Sequence, residues 1–132
     1  MSGVAIVRYL LIDNADLAAV VSADKIKAGV IPINTLLPAI SIRQISGIEH
    51  ELIKRGTNQL VTERIQVTAM AGTYPQQKSI LNLIRAALPA TRGTVNGFSV
   101  DSITPDMDGP DFQYDDPVIF EQSIDYMVRF IR

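Results

Sequence analysis

Few side chains in this chain could do chemistry, and their spacing argues against most reactions. The single histidine, His50, stands between Glu49 and Glu51. The chain has no cysteine, so a metal at His50 would have to be held by carboxylates alone, without the thiolates common in zinc sites. A serine–histidine–acid triad would need this same His50, and no Gly-x-Ser-x-Gly turn precedes a helix. The glycines form neither a phosphate loop nor a dinucleotide fingerprint. Asp106-Met107-Asp108-Gly109-Pro110-Asp111 looks like half of a calcium loop, but its glycine comes too early. The twelfth position, which calls for a bidentate glutamate, is Pro117. Turn chemistry accounts for the cluster. The expectation is no catalytic residue, no metal and no cofactor.

At 132 residues with 47 % hydrophobic content, the chain reads as one domain, 1–132, able to bury roughly two-thirds of its unfolded surface. Without cysteine there is no disulfide framework, and a reducing compartment is allowed. The amino-terminal run SGVAIVRYLLIDNADLAAVV is interrupted by Arg8, Asp13 and Asp16. It fits neither a bilayer span nor a secretory cleavage pattern, so a soluble, cytosolic setting without a membrane is expected.

The net charge of −2 hides an uneven distribution. Lys25 to Arg92 carries Lys25, Lys27, Arg43, Lys54, Arg55, Arg64, Lys78, Arg85 and Arg92 against Glu49, Glu51 and Glu63. Gly93 to Val128 holds no lysine or arginine, but Asp101, Asp106, Asp108, Asp111, Asp115, Asp116, Glu121 and Asp125. Such a division is either a solvated acidic loop or a surface that meets an opposite charge on a neighbour. With a sequence pI of about 5.2 and dispersed bases, a nucleic-acid-binding module is disfavoured.

The elements that would place these residues centre on Leu60 to Leu88. Val61, Ile65, Val67 and Ala69 alternate with Thr62, Arg64, Gln66 and Thr68, the period of a strand with one buried face. Gly72 ends it, and Thr73 with Gln76 has capping-box spacing, Pro75 falling in the first turn. Ile80, Leu81, Ile84, Ala87 and Leu88 then form the stripe of an amphipathic helix. Upstream, Ser2 caps a helix striped by Val4, Val7, Leu10 and Leu11, and Ala15 to Val21 forms a short second one. Ala39 to Ser46 is a strand whose parity breaks at Ile45, which points to a bulge near Gln44. Residues 47–59 read as a protruding arm or loop with its tip at Gly56-Thr57-Asn58. Downstream come a strand over Val95 to Thr104, an acidic loop over 105–117 and a last strand from Val118 to Ile131. The sum is an α+β domain, a four-stranded, mainly antiparallel sheet with helices packed on one face.

The run ISGIEHELIKRGTNQLVTERIQVTAMAGTYPQQKSILNLIRAAL resembles the tail-terminator or tail-completion proteins of long-tailed bacteriophages and related tail-like particles. The flanking IKAGVIP and LPAISIRQISG pieces and the final strand after an acidic segment follow the same order. The resemblance implies a structural virion protein of the tail or neck, assembled in the host cytoplasm. Such proteins form a ring, usually of six copies, that caps the tail tube, ends its polymerisation and joins the tail to the head connector, with the genome passing through the hole. It carries over no catalytic residues. Implied partners are further copies of the chain, the tail tube protein and the head–tail connector or adaptor.

A closed ring needs one patch of a subunit to meet a different patch of the next. The candidates are His50, Lys54, Arg55 and Arg64 on the basic side, and Asp106, Asp108, Asp111, Asp115 and Asp116 on the acidic side. Two alternatives stay open: a head-side adaptor of the same fold, or a small ligand-binding or enzymatic α+β domain with its pocket between sheet and helices.

Overall fold

The computed structural model describes residues 2–29, 31–32, 36–50, 59–88, 93–115 and 117–131. In chain order these form α1 (Ser2–Asp13), α2 (Ala15–Ala18), a 3₁₀ turn (Ala23–Lys25), β1 (Ile26–Ala28), β2 (Ala39–His50) and β3 (Leu60–Ala71). Then come α3 (Tyr74–Ala87), β4 (Gly93–Val95), β5 (Phe98–Asp108), β6 (Phe112–Asp115) and β7 (Val118–Ile131).

The expected four-stranded α+β sheet with helices on one face is overturned. The protein is mostly β, with 53 % of it in strands, and its seven strands form one curled, mixed sheet, a half-barrel. The strand order is β1-β2-β3-β7-β5-β4, with β6 also pairing β7. β1 lies parallel to β2, and every other pair is antiparallel. The physical reason for the miss is length. β1, β4 and β6 are 3, 3 and 4 residues long, too short to show an alternation, and each exists through its partner's backbone. Twist accumulates from strand to strand, so a sheet this wide curls. Helix α1 touches both β1 and β4, the two ends of the strand order.

The segment 105–117 is also largely strand. β5 and β6 follow each other along the same side of β7, joined through Gly109, whose N–H donates to Ser123 O at 2.7 Å. Pro105 sits at a register shift in β5, where a missing N–H is tolerated.

The central pair is β3 with β7, in unbroken register from Leu60↔Ile131 to Ala71↔Phe120. Their alternate residues Val61, Ile65, Val67, Ala69, Ile124, Tyr126, Val128 and Phe130 share one apolar cluster with Ile6, Val7 and Leu11 of α1 and Ile80, Leu81 and Ile84 of α3. Thr73 caps α3 as its spacing requires, accepting from Gln76 N at 3.3 Å. The expected bulge is present as a register shift between Gln44 and Ser46.

Two polar side chains break the apolar pattern. Glu63, buried on β3, accepts the Gly3 N–H at 2.8 Å. It therefore satisfies an orphan donor in the first turn of α1 from 60 residues away, where a negative charge also suits the helix dipole. Gln77 of α3 is fully buried, and neither of its side-chain polar atoms finds a partner among the described residues.

Candidate assembly surface

The sheet face turned away from the apolar cluster carries a polar ladder across four strands. Arg43, Gln66 and Asp125 lie in register on β2, β3 and β7. Arg43 Nε donates to Gln66 Oε1 at 2.9 Å, and Gln66 Nε2 donates to Asp125 Oδ1 at 3.3 Å. Arg64 closes the ladder towards β5, its Nη1 lying 3.1 Å from Asp125 Oδ2 and 2.6 Å from Asp106 Oδ2. These bonds, first to Asp106 and then to Asp125, raise the Arg64 pKa further above the range in which it could lose its proton. One step along, the hydroxyls of Thr68 and Ser123 are 2.7 Å apart. Thr68 is only 6 % exposed and Asp125 only 9 %, so this part of the outer face is an internal brace with little surface to offer.

A second set of bonds fastens the acidic segment to α3. Lys78 Nζ donates to Asp111 Oδ1 at 2.8 Å and to Gln122 Oε1 at 2.5 Å, while the Tyr74 hydroxyl donates to Asp111 Oδ2 at 2.9 Å. Gln122 in turn donates to Gly109 O at 2.8 Å. Arg85 Nη2 lies 3.0 Å from Asp108 Oδ2. Tyr74 also meets Phe120 edge to face, with centroids 6.0 Å apart. The Lys78 ammonium, and then the Tyr74 hydroxyl, hold the Asp111 carboxyl below its ordinary pKa. Burial pulls Lys78 down, but its bonds to Asp111 and Tyr74 outweigh that and leave it raised.

The expected site residues thus divide. Arg64 and Asp106 are brought together; Asp108 goes to Arg85, and Asp111 to Lys78 and Tyr74. Asp115 ends β6 on an exposed stretch, accepting from Gln113 Nε2 at 3.5 Å. His50 ends β2, its Nε2 2.9 Å from Thr62 Oγ1. Lys54, Arg55 and Asp116 lie outside the described residues. Basic middle and acidic third do meet, and the meetings seen are within one chain. Sequence reasoning missed Tyr74, Lys78, Arg85 and Gln122 as the fasteners. A signal was there: Lys78 and Arg85, seven apart, share a helix face.

Residues 5–130 match the family model described as "Tail completion protein gp17". The chain belongs to that family. It is therefore a structural protein of phage-type tails. A chain of the "Virion of native gene transfer agent (GTA) particle" shares the fold, with a TM-score of 0.70 over 99 % of this chain and 97 % of that one. The two sequences are 10 % identical, a likeness of fold alone. No curated protein matches the chain in sequence.

Exposed apolar side chains stand at both ends of the sheet. At about 3.4 Å per residue, Leu60 to Ala71 spans roughly 37 Å. One end carries the β2–β3 arm, with Ile45, Ile48 and Ile131 exposed. The other carries the β6–β7 ribbon, with Met107, Phe112, Tyr114 and Val118 exposed. A groove of about 350 Å³ opens on the outer face between them, lined by Ile31, Pro32, Leu37, Met70, Ile119 and Glu121 among others. Among the described residues no group of three or more His, Asp or Glu could hold a metal ion, and no helix is long and apolar enough to cross a membrane.

Proposed function

We propose that six copies of this protein close into a ring that caps the tail tube, ends its polymerisation and joins the tail to the head connector. The observation that carries the reading is the family match over residues 5–130. The shape of the subunit supports it. Its two exposed apolar ends differ in residue content and lie at opposite ends of one sheet, so like ends do not complement each other and contacts between copies run head to tail. Such contacts close into a ring or grow into a filament. Of the charged residues expected at the subunit interface, Asp115 and His50 are, among the described residues, those left to meet neighbours, since Arg64, Asp106, Asp108 and Asp111 already brace the fold.

The test is electron microscopy of particles made without this protein. Overlong tails that carry no head are the expected result. Tails of normal length beside filled, tailless heads would instead make it a head-side adaptor. Native mass spectrometry of the assembled ring reads the copy number, with six expected.

A further inference from the structure

The chain treats the two edges of its sheet differently. On the β5 side, β4 covers only Phe98 to Val100. The rest of β5 carries Pro105, register shifts between Val100 and Ser102 and between Pro105 and Met107, and the carboxylates of Asp101, Asp106 and Asp108. Proline, irregular register and charge are the devices that keep an edge strand from pairing. On the β2 side, β1 covers only Ile40 to Ile42. From Arg43 to His50, β2 runs on beside β3 with no strand on its free side among the described residues. That stretch holds neither proline nor lysine, and beyond the register shift between Gln44 and Ser46 it is unbroken from Ser46 to His50. Its side chains are exposed, Ile48 by 60 %. A short regular stretch with exposed side chains and no described strand alongside is a template for another strand.

We propose that this free edge of β2 takes β6 of a second copy of the chain, continuing the sheet from one subunit into the next. β6 is paired on one side only, by β7, in unbroken register, and all of Phe112 to Asp115 is exposed. Unlike β5, it contains no proline and no register shift. Phe112 and Tyr114 stand opposite Glu121 and Ile119, on the outer face, as Ile48 does opposite Thr62. Edge to edge, the two aromatic rings come beside Ile48 on one continuous face, the aromatic–β-branched pairing that stabilises sheets. Within one subunit the two strands are separated by the length of β3, so they meet only between copies.

This inference rests on the reading that copies associate, and the experiment separates the two. The chain has no cysteine, so single-cysteine variants Ile48→Cys and Tyr114→Cys report only on this contact. Both positions are exposed, and thermal melting confirms that each variant folds. Particles assembled from a mixture of the two and treated with a short bismaleimide yield a covalent dimer of one of each, while either variant alone yields none. Dimers from one variant alone, or no dimer in particles that carry the protein at the tail end, overturn the edge pairing and leave the ring standing. Particles with normal, joined tails that lack the protein overturn the ring itself. Ile48→Lys, which places a charge on the edge, weakens self-association by about tenfold or more; unchanged association also overturns the pairing.

Discussion

The ribbon and the arm leave opposite ends of the same two strands, yet they are held in different ways. The ribbon's β6 has only 4 residues. It is fixed by side chains from a helix, Lys78 and Tyr74 on Asp111 and Arg85 on Asp108, and by Gln122 of β7 on Gly109. The arm is a long ladder from Ala39↔Met70 to His50↔Leu60. Along its outer half, bonds such as His50 to Thr62 and Gln59 to Glu49 join β2 to β3, or residues beside them. A short strand has too few ladder bonds to hold its own position, so the chain adds ion pairs. A long one holds itself by its own ladder.

The largest effect should come from breaking what both ends share. Phe130 is fully buried in β7 and packs edge to face on Phe98 at 5.9 Å. Phe130→Ala should cost about 3–5 kcal/mol, read by urea unfolding, with arm and ribbon losing amide protection together. Gln77→Leu should do the opposite. It removes two buried, unpartnered polar atoms and should add about 1–3 kcal/mol, seen as a higher Tm; a lower Tm would show that the amide has partners. Next is Glu63→Ala, which strips the Gly3 N–H of its acceptor. A cost of about 1–2 kcal/mol is expected, with faster exchange in the first turn of α1 and none in the ribbon.

Smaller still is Asp111→Asn. The Lys78–Asp111 pair is exposed, so global stability should hardly move. The sharper readout is local: β6 amides should exchange faster while those of β2 do not. The same fastener sets a pH window. Asp111 has a lowered pKa in the fold, so its contribution is whole above the unfolded aspartate value of about 3.9 and is lost as pH falls through the lowered one. Lys78 is raised, so its contribution is whole below about 10.4 and is lost as pH rises through the raised value. Protection of β6 should therefore be flat between these limits; a step near neutral pH would assign its fastening to another group.

The parts legible in the sequence were those whose signal is local. Alternation along Val61 to Ala69 is fixed by a pleat in which each residue sees only its neighbours, and the structure buries those residues. Thr73, Gln76 and Pro75 mark the start of α3 because a helix's first turn must satisfy its own donors. The parity break at Ile45 announced the bulge. The acidic segment was misleading because Pro105, Gly109 and Pro110 carry turn signals that are correct for an isolated peptide. Beside β7 those signals mark a shift and a joint in an edge strand. Of the candidate site residues, Arg64, Asp106, Asp108 and Asp111 were singled out for their charge alone. Their partners within the chain lie 23 to 61 positions away, beyond any spacing rule.

By itself, then, the sequence determined where the long strands and helices run, which of their faces is apolar, that the bases and acids are segregated, and the resemblance to tail-completion proteins. Tertiary structure alone decided that seven strands form one curled sheet, that the segregated charges pair inside the chain, that Glu63 serves the start of α1, and which sheet edge is left open. The physical reason is one of range. Periodicity and capping are set by neighbours within a turn or a pleat, whereas short strands, ion pairs and free edges depend on which distant backbone the fold brings alongside.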